Sequence, residues 1–176
     1  MVHRDVKPAN IFLVRKYISG GGFPPLVLGD FGLATLDPTT HDGLGTPSWQ
    51  GPEWPTVTAK MDIWGLGAII HALAHGYPPQ RPTPREVHAA GEEEEVAWMR
   101  SPRSKDARPL TTRYSQELSD NMMSCLVLQP EDRIDSRRLV KILVRDRVKW
   151  QGRPHQTILA RVLGRVLDAA KVTSDL

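Results

Sequence analysis

Within its first ten residues the chain places an imidazole, a guanidinium, a carboxylate, an ammonium and a carboxamide, in the order His3-Arg4-Asp5-Val6-Lys7-Pro8-Ala9-Asn10. A second carboxylate arrives 20 residues after Asn10, in Asp30-Phe31-Gly32. Asn10 and Asp30 offer hard oxygen donors, which suit Mg²⁺ far better than a soft metal. A carboxylate such as Asp5 can orient a hydroxyl and take its proton, and an ammonium such as Lys7 can stabilise charge developing on a phosphate oxygen. Together such groups could orient a hydroxyl, take its proton, hold a hard cation and neutralise charge on an anionic substrate. Each residue alone says little, and a lone Asp-Phe-Gly occurs by chance. The ordered set carries the weight.

These side chains need a scaffold. Apolar runs at residues 11–14 and 26–28 flank Ser19-Gly20-Gly21-Gly22-Phe23-Pro24-Pro25 and read as strands of one hairpin with a long irregular loop. Pairing those strands brings Asn10 and Asp30 to the same end. Residues 33–55, rich in Thr, Gly and Pro and without hydrophobic periodicity, predict an extended loop. A helix is predicted over 59–75, with Thr58 as N-cap and Gly76-Tyr77-Pro78-Pro79 as its stop. Its body, Ile63-Trp64-Gly65-Leu66-Gly67-Ala68-Ile69-Ile70, is apolar almost all round, so it is expected at the centre of the molecule. Ser115 opens an amphipathic helix through Leu118, Met122, Cys125 and Leu126, and Asp135-Ser136 caps another carrying Leu139, Val140, Leu143 and Val144. The fold class is mainly α with a small β-hairpin.

Residues 78–113 carry weak signals, including four glutamates at 92–95 that read as a solvated face. The tail is basic. Its last predicted helix, 156–171, aligns Leu159, Val162, Leu163, Val166 and Leu167 on one stripe, with Arg161, Arg165 and Lys171 off it. Such a helix either docks on the domain or meets a partner or an anionic surface.

The chain has 176 residues, 40% of them hydrophobic and 24% charged, which excludes intrinsic disorder and leaves room for one substantial domain. No apolar run approaches the ~20 residues of a membrane span. Residues 1–5 hold no apolar h-region, so a secretory signal is not expected. The lone cysteine, Cys125, fits a reducing cytoplasmic or nuclear compartment. A net charge of +3 selects no partner. His71 and His75 stand four apart, but Ala72 replaces the Glu of His-Glu-x-x-His and no third ligand is evident, so a zinc site is not expected. The basic tail lacks interleaved aromatics, Trp150 standing nearly alone, which argues against nucleic acid.

Further motifs follow in order: Gly45-Thr46-Pro47, Gly51-Pro52-Glu53, Asp62-Ile63-Trp64-Gly65-Leu66-Gly67 and Pro130-Glu131-Asp132-Arg133. With the two opening motifs they resemble the eukaryotic protein kinase family, of serine/threonine type, and specifically the catalytic half of its C-terminal lobe. The resemblance covers about residues 1–144. Val6 stands where Leu is usual, and Gly51 where the Ala of Ala-Pro-Glu is usual. The resemblance implies Asp5 as catalytic base, Lys7 at the transferring phosphate, Asn10 and Asp30 as Mg²⁺ ligands, and Asn10, Asp30 and Phe12 at bound ATP. It also implies a Glu53–Arg133 ion pair, backbone N–H bonds from the catalytic loop to Asp62, and stacking of His3 on Phe31, with Gly32 completing that motif. Arg4 would pair with a phosphorylated activation loop, for which Thr39 and Thr40 are candidate sites. Thr46 is expected to contact Asp5 and Lys7 instead. Trp49 and Trp54 either shape the substrate surface or anchor the core.

The family's glycine-rich loop, its strand lysine and the partner glutamate have no counterpart in the chain; Gly20-Gly21-Gly22 does not qualify. The implied organisation is a kinase C-terminal lobe at 1–148 and a basic helical extension at 149–176. The helix that precedes the catalytic loop in the family is also absent, so a face with Ile63, Ile70 or Leu73 is expected to be uncovered and the isolated chain marginally stable. Three readings follow: part of a kinase acting on protein Ser/Thr hydroxyls whose N-terminal lobe lies elsewhere, a kinase-derived non-catalytic binding module, or an unrelated basic adaptor. The isolated chain is expected to be inactive, without measurable Mg·ATP affinity.

Overall fold

The computed structural model describes residues 1–16, 24–37, 43–79, 110 and 114–150. Strands β1 (Ile11–Leu13) and β2 (Leu26–Leu28) pair antiparallel, with Ile11 opposite Leu28 and Leu13 opposite Leu26. Val14 extends the ladder by donating to the Pro25 carbonyl at 2.9 Å. Among the described residues three helices follow: α1 (Ala59–His75), α2 (Gln116–Cys125) and α3 (Ser136–Trp150).

Helix α1 starts and stops where the sequence indicates. Gly76 ends it with φ +87°, a left-handed conformation that glycine takes without a Cβ penalty. Thr58 has the extended backbone of an N-cap but makes no capping bond; its hydroxyl turns to Glu53 Oε1 at 3.4 Å. In α2, Ser115 caps by accepting the Leu118 N–H at 3.2 Å, and in front of α3 Asp135 accepts the Arg138 N–H at 2.7 Å.

Residues 63–71 of α1 are buried without a break, which puts the helix at the centre. Gly65 and Gly67 lie about 200° apart around the axis, and each admits a neighbour from its own side. A Cβ on Gly65 would come within 2.7 Å of the Val6 carbonyl, and one on Gly67 within 2.7 Å of the Cys125 Cβ. Missing side chains thus let α1 lie between the N-terminal loop and α2. Trp64, Leu66 and Ile70 join Leu118, Met122, Leu126, Leu139 and Leu143 in one core.

Four expectations change. Ile63 and Ile70 are buried in that core, and of the three residues named for an uncovered α1 face only Leu73 is exposed, at 59%. Exposed apolar side chains also cluster on the hairpin, at Phe12, Leu13, Val14 and Val27, because a two-stranded sheet has two faces and the described residues do not cover both. Val144 is 61% exposed, since the buried stripe of α3 takes in Leu139, Val140 and Leu143 and then turns away. The stretch 33–55 is not wholly extended: a 3₁₀ turn spans Pro47–Trp49, and Val2 and Thr35 exchange backbone hydrogen bonds at 2.8 and 2.9 Å. Among the described residues no helix is long and apolar enough to cross a membrane. The glutamates at 92–95 and the helix expected at 156–171 lie outside the described residues.

Candidate active site

The site is built on the loop before β1. The N–H groups of His3 and Arg4 donate to Asp62 Oδ2 and Oδ1 at 2.7 and 2.9 Å, so the first turn of α1 holds the loop by its backbone. Desolvation pushes the Asp62 carboxyl above its ordinary value, against the two amides that favour its charge. Arg4 sits at φ +70° and Asp30 at φ +61°, the two non-glycine residues in the left-handed region among the described residues. Both belong to the opening motifs, and backbone strain of this kind persists where the surroundings over-determine it.

Four groups converge on Asp5. Lys7 Nζ lies 2.7 Å from Oδ2, and Asn10 Nδ2 donates to the same oxygen at 3.1 Å. Thr46 donates both its backbone N–H, at 3.1 Å, and its hydroxyl, at 2.7 Å, to Oδ1. Lys7 Nζ also reaches the Thr46 hydroxyl at 2.7 Å. Burial works against the Asp5 charge, but the Lys7 ammonium and the bonds from Thr46 and Asn10 outweigh it and hold the carboxyl below its ordinary value of 3.8. Asp5 is therefore ionised at neutral pH.

Asn10 donates its second amide hydrogen to the Asp5 carbonyl at 2.8 Å. With both hydrogens spent, its buried carboxamide presents an oxygen as its remaining polar atom. Gly29 N donates to the Asn10 carbonyl at 2.9 Å, which puts Asp30 one residue beyond the end of the ladder that starts after Asn10. Asp30 is exposed and makes no side-chain hydrogen bond or ion pair among the described residues. One amide oxygen and one free carboxylate fit Mg²⁺, which keeps sites for phosphate oxygens and water and needs few protein ligands. No group of three or more His, Cys, Asp or Glu among the described residues could hold a metal.

The supporting residues are placed as follows. The His3 and Phe31 rings meet edge to face at 4.8 Å, and His3 Nε2 lies 3.0 Å from the Gly29 carbonyl. Gly32 follows in a 3₁₀ turn, Phe31–Leu33. The Phe12 ring, 49% exposed, stands over Gly29, where an added Cβ would come within 2.8 Å of it. Arg4 Nε donates to the Leu33 carbonyl, so in this conformation the guanidinium is directed to backbone. Thr39 and Thr40 lie outside the described residues.

Glu53 and Arg133 form a two-pronged ion pair, at 2.7 and 2.9 Å. Arg133 also donates to the carbonyls of Val127, Lys60 and Leu128, and its guanidinium lies 5.1 Å from the Trp64 ring centre. Of the two tryptophans, Trp49 packs against the main core and Trp54 against Val2, Val57 and Met61. His71 is fully buried, with Nδ1 2.9 Å from the Tyr77 carbonyl and its ring 4.4 Å from that of His75.

Sequence reasoning missed two contributors. Lys60 donates to the Arg133 carbonyl while its own carbonyl accepts from Arg133, which ties the start of α1 to the Glu53 anchor. Gln50 is buried and donates to the Leu44 carbonyl beside Thr46. Its one sequence signal is an amide side chain between Trp49 and Gly51, in a stretch otherwise read as loop.

A family model described as the protein kinase domain matches residues 1–143. Serine/threonine-protein kinase TAO2 of Xenopus laevis is 31% identical across 100% of this chain and 16% of its own length. G2-specific protein kinase nimA of Emericella nidulans is 33% identical across 80% of this chain and 18% of its own. Serine/threonine-protein kinase DCLK1 of Rattus norvegicus is 38% identical across 56% of this chain and 21% of its own. The chain thus spans about a fifth or less of the length of these relatives. With the family model covering most of its length and Lys7, Asn10 and Thr46 gathered around Asp5, the chain belongs to the protein kinase domain family.

Proposed function

We propose that the chain is the catalytic, C-terminal-lobe portion of a serine/threonine protein kinase, which transfers the γ-phosphate of ATP to Ser or Thr hydroxyls of protein substrates with Mg²⁺. The observation that carries this reading is the convergence of Lys7, Thr46 and Asn10 on an ionised Asp5. Asp5 orients the acceptor hydroxyl and takes its proton. Asn10, through its remaining amide oxygen, and Asp30 are the residues that would hold Mg²⁺. Bound Mg·ATP supplies the phosphoryl group and part of the charge neutralisation.

The hydrogen-bond inventory also suggests the order of events. A carboxylate accepts about four hydrogen bonds, and Thr46, Lys7 and Asn10 already supply that number to Asp5. An acceptor hydroxyl must displace one of them. Lys7, partly exposed as Thr46 is and carried on a long flexible side chain, would open a place on Asp5 Oδ2 by turning toward a phosphate oxygen. The Lys7-Pro8 pair supports Ser/Thr over Tyr as acceptor. The exposed cross-strand pair Phe12 and Val27 gives the hairpin an apolar face suited to receiving a nucleotide-binding lobe. A reducing intracellular compartment, cytoplasmic or nuclear, is consistent with one buried free cysteine.

The test is transfer from γ-labelled ATP to mixed Ser and Thr peptides by the longest natural product containing residues 1–176. Asp5→Asn is expected to lower transfer by about 10²-fold or more; transfer indifferent to Asp5→Asn would overturn the assignment. The 176-residue chain alone is expected to show no rise in Tm on adding Mg·ATP.

A further inference from the structure

Thr46 can serve Asp5 only if its backbone N–H and its hydroxyl point at one carboxylate oxygen together. The loop that holds it is closed by a side chain. Trp49 N donates to the Thr46 carbonyl at 3.0 Å and Gln50 N to the Pro47 carbonyl at 3.3 Å, so the chain after Thr46 folds back on itself. Gln50, 3% exposed, then reaches across the fold and donates Nε2 to the Leu44 carbonyl. Between Leu44 and Thr46 stands Gly45, at φ +109°, pressed so closely on the N-terminal loop that an added Cβ would lie 2.6 Å from the Arg4 carbonyl. The Gln50 bond therefore spans the turn that aims Thr46.

The other end of Gln50 makes the arrangement informative. Its Oε1 is buried and has no hydrogen-bond partner among the described residues, and Gln50 lines a cavity of about 10 Å³ together with Asp5, Thr46, Trp49 and Asp62. A methionine matches glutamine in length but carries no N–H donor. What glutamine contributes here, and methionine cannot, is the single donated bond to Leu44.

We propose that Gln50 is a positioning residue: by holding the Leu44 carbonyl it fixes the Gly45 turn and so presents the Thr46 amide and hydroxyl to Asp5. The significance of the device rests on Asp5 being the catalytic base, but its test does not need phosphate transfer. In the full 176-residue chain, Gln50→Met removes the donor and the orphan acceptor together at nearly constant volume. Hydrogen exchange at the Thr46 amide is expected to speed up about tenfold, the order set by loss of one hydrogen bond. The Thr46 amide proton shift, which reports its bond to Asp5 Oδ1, is expected to move as well, while Tm is unchanged or higher. Gln50→Leu, uncharged and also without a donor, provides the same readouts should Gln50→Met not fold.

Unchanged Thr46 exchange with an unmoved Thr46 amide shift would overturn the proposal, whatever happens to Tm. A fall in Tm without either change at Thr46 would make Gln50 a packing residue and also overturn it. The two readings separate cleanly: the changes at Thr46 in the 176-residue chain, with no transfer by the longest natural product containing it, keep this inference and remove the kinase assignment, and transfer without those changes does the reverse.

Discussion

Asp5–Lys7 and Glu53–Arg133 are both carboxylate–cation pairs at 2.7 Å, and they differ in almost everything around them. Arg133 is wholly enclosed, with donors committed to both oxygens of Glu53 and to three backbone carbonyls, and with Trp64 beside it. Lys7 is 22% exposed and touches the mobile chemistry of a hydroxyl and a carboxylate, with no backbone carbonyl bound to its ammonium among the contacts found. One pair is saturated and closed. The other is satisfied but can be rearranged, because water can take over any bond it gives up. Enclosure, more than distance, separates a charge pair that holds the fold from one that can take part in chemistry.

The largest effect should come from the closed pair. Arg133→Met leaves Glu53 and three carbonyls without their donor and is expected to lower stability by about 3–5 kcal/mol, read from the urea midpoint at constant m. Adding Glu53→Leu should recover much of that loss, since the penalty comes from the stranded charge; a double variant no better than the single one would remove the distinction drawn above. Next comes the contact that sets the open pair in place. Gly65→Ala forces a methyl against the Val6 carbonyl and should cost about 1–3 kcal/mol, with the loop signals of His3 to Lys7 moving in the NMR spectrum and those of α2 remaining. If only α2 responds, α1 does not position the loop through Gly65.

The smallest effect on stability is expected at the open pair. Asp5→Asn should cost about 1–2 kcal/mol at neutral pH, because Lys7 can turn to solvent while the new amide N–H groups face the donors of Asn10 or Thr46. Its signature lies in acid. A carboxyl held below its ordinary value contributes stability that is fully present above 3.8 and is lost as pH falls through the lower folded value. The acid limb of the stability curve should therefore flatten in Asp5→Asn relative to the unsubstituted chain. An unchanged limb would mean that Lys7 and Thr46 do not favour the Asp5 charge.

Much of the architecture was legible because local signals were strong and mutually consistent. The hairpin followed from two short apolar runs, and α1 from an apolar stretch bounded by Thr58 and Gly76, with caps at Ser115 and Asp135 marking the next two helices. The errors came where local sequence is silent about neighbours. Periodicity could say that Ile63 and Ile70 need cover, but not that α2, α3 and the turns beside them supply it. It could not place Val144 outside the stripe, because the width of a buried face depends on what the helix packs against.

At the site, residue types alone pointed to two hard oxygen donors, a base and a cation, and the order of motifs pointed to the family. That much is chemistry written into the chain, since a carboxylate or an ammonium keeps its properties wherever it lies. Tertiary structure alone decided which groups share an oxygen. Asp5 and Thr46 are 41 residues apart and Glu53 and Arg133 are 80, and contacts across such separations exist only once α1 has drawn the loops onto itself. The contribution of Gln50 belongs to the same class: an amide between Trp49 and Gly51 has no meaning until the turn folds back and brings the Leu44 carbonyl within its reach.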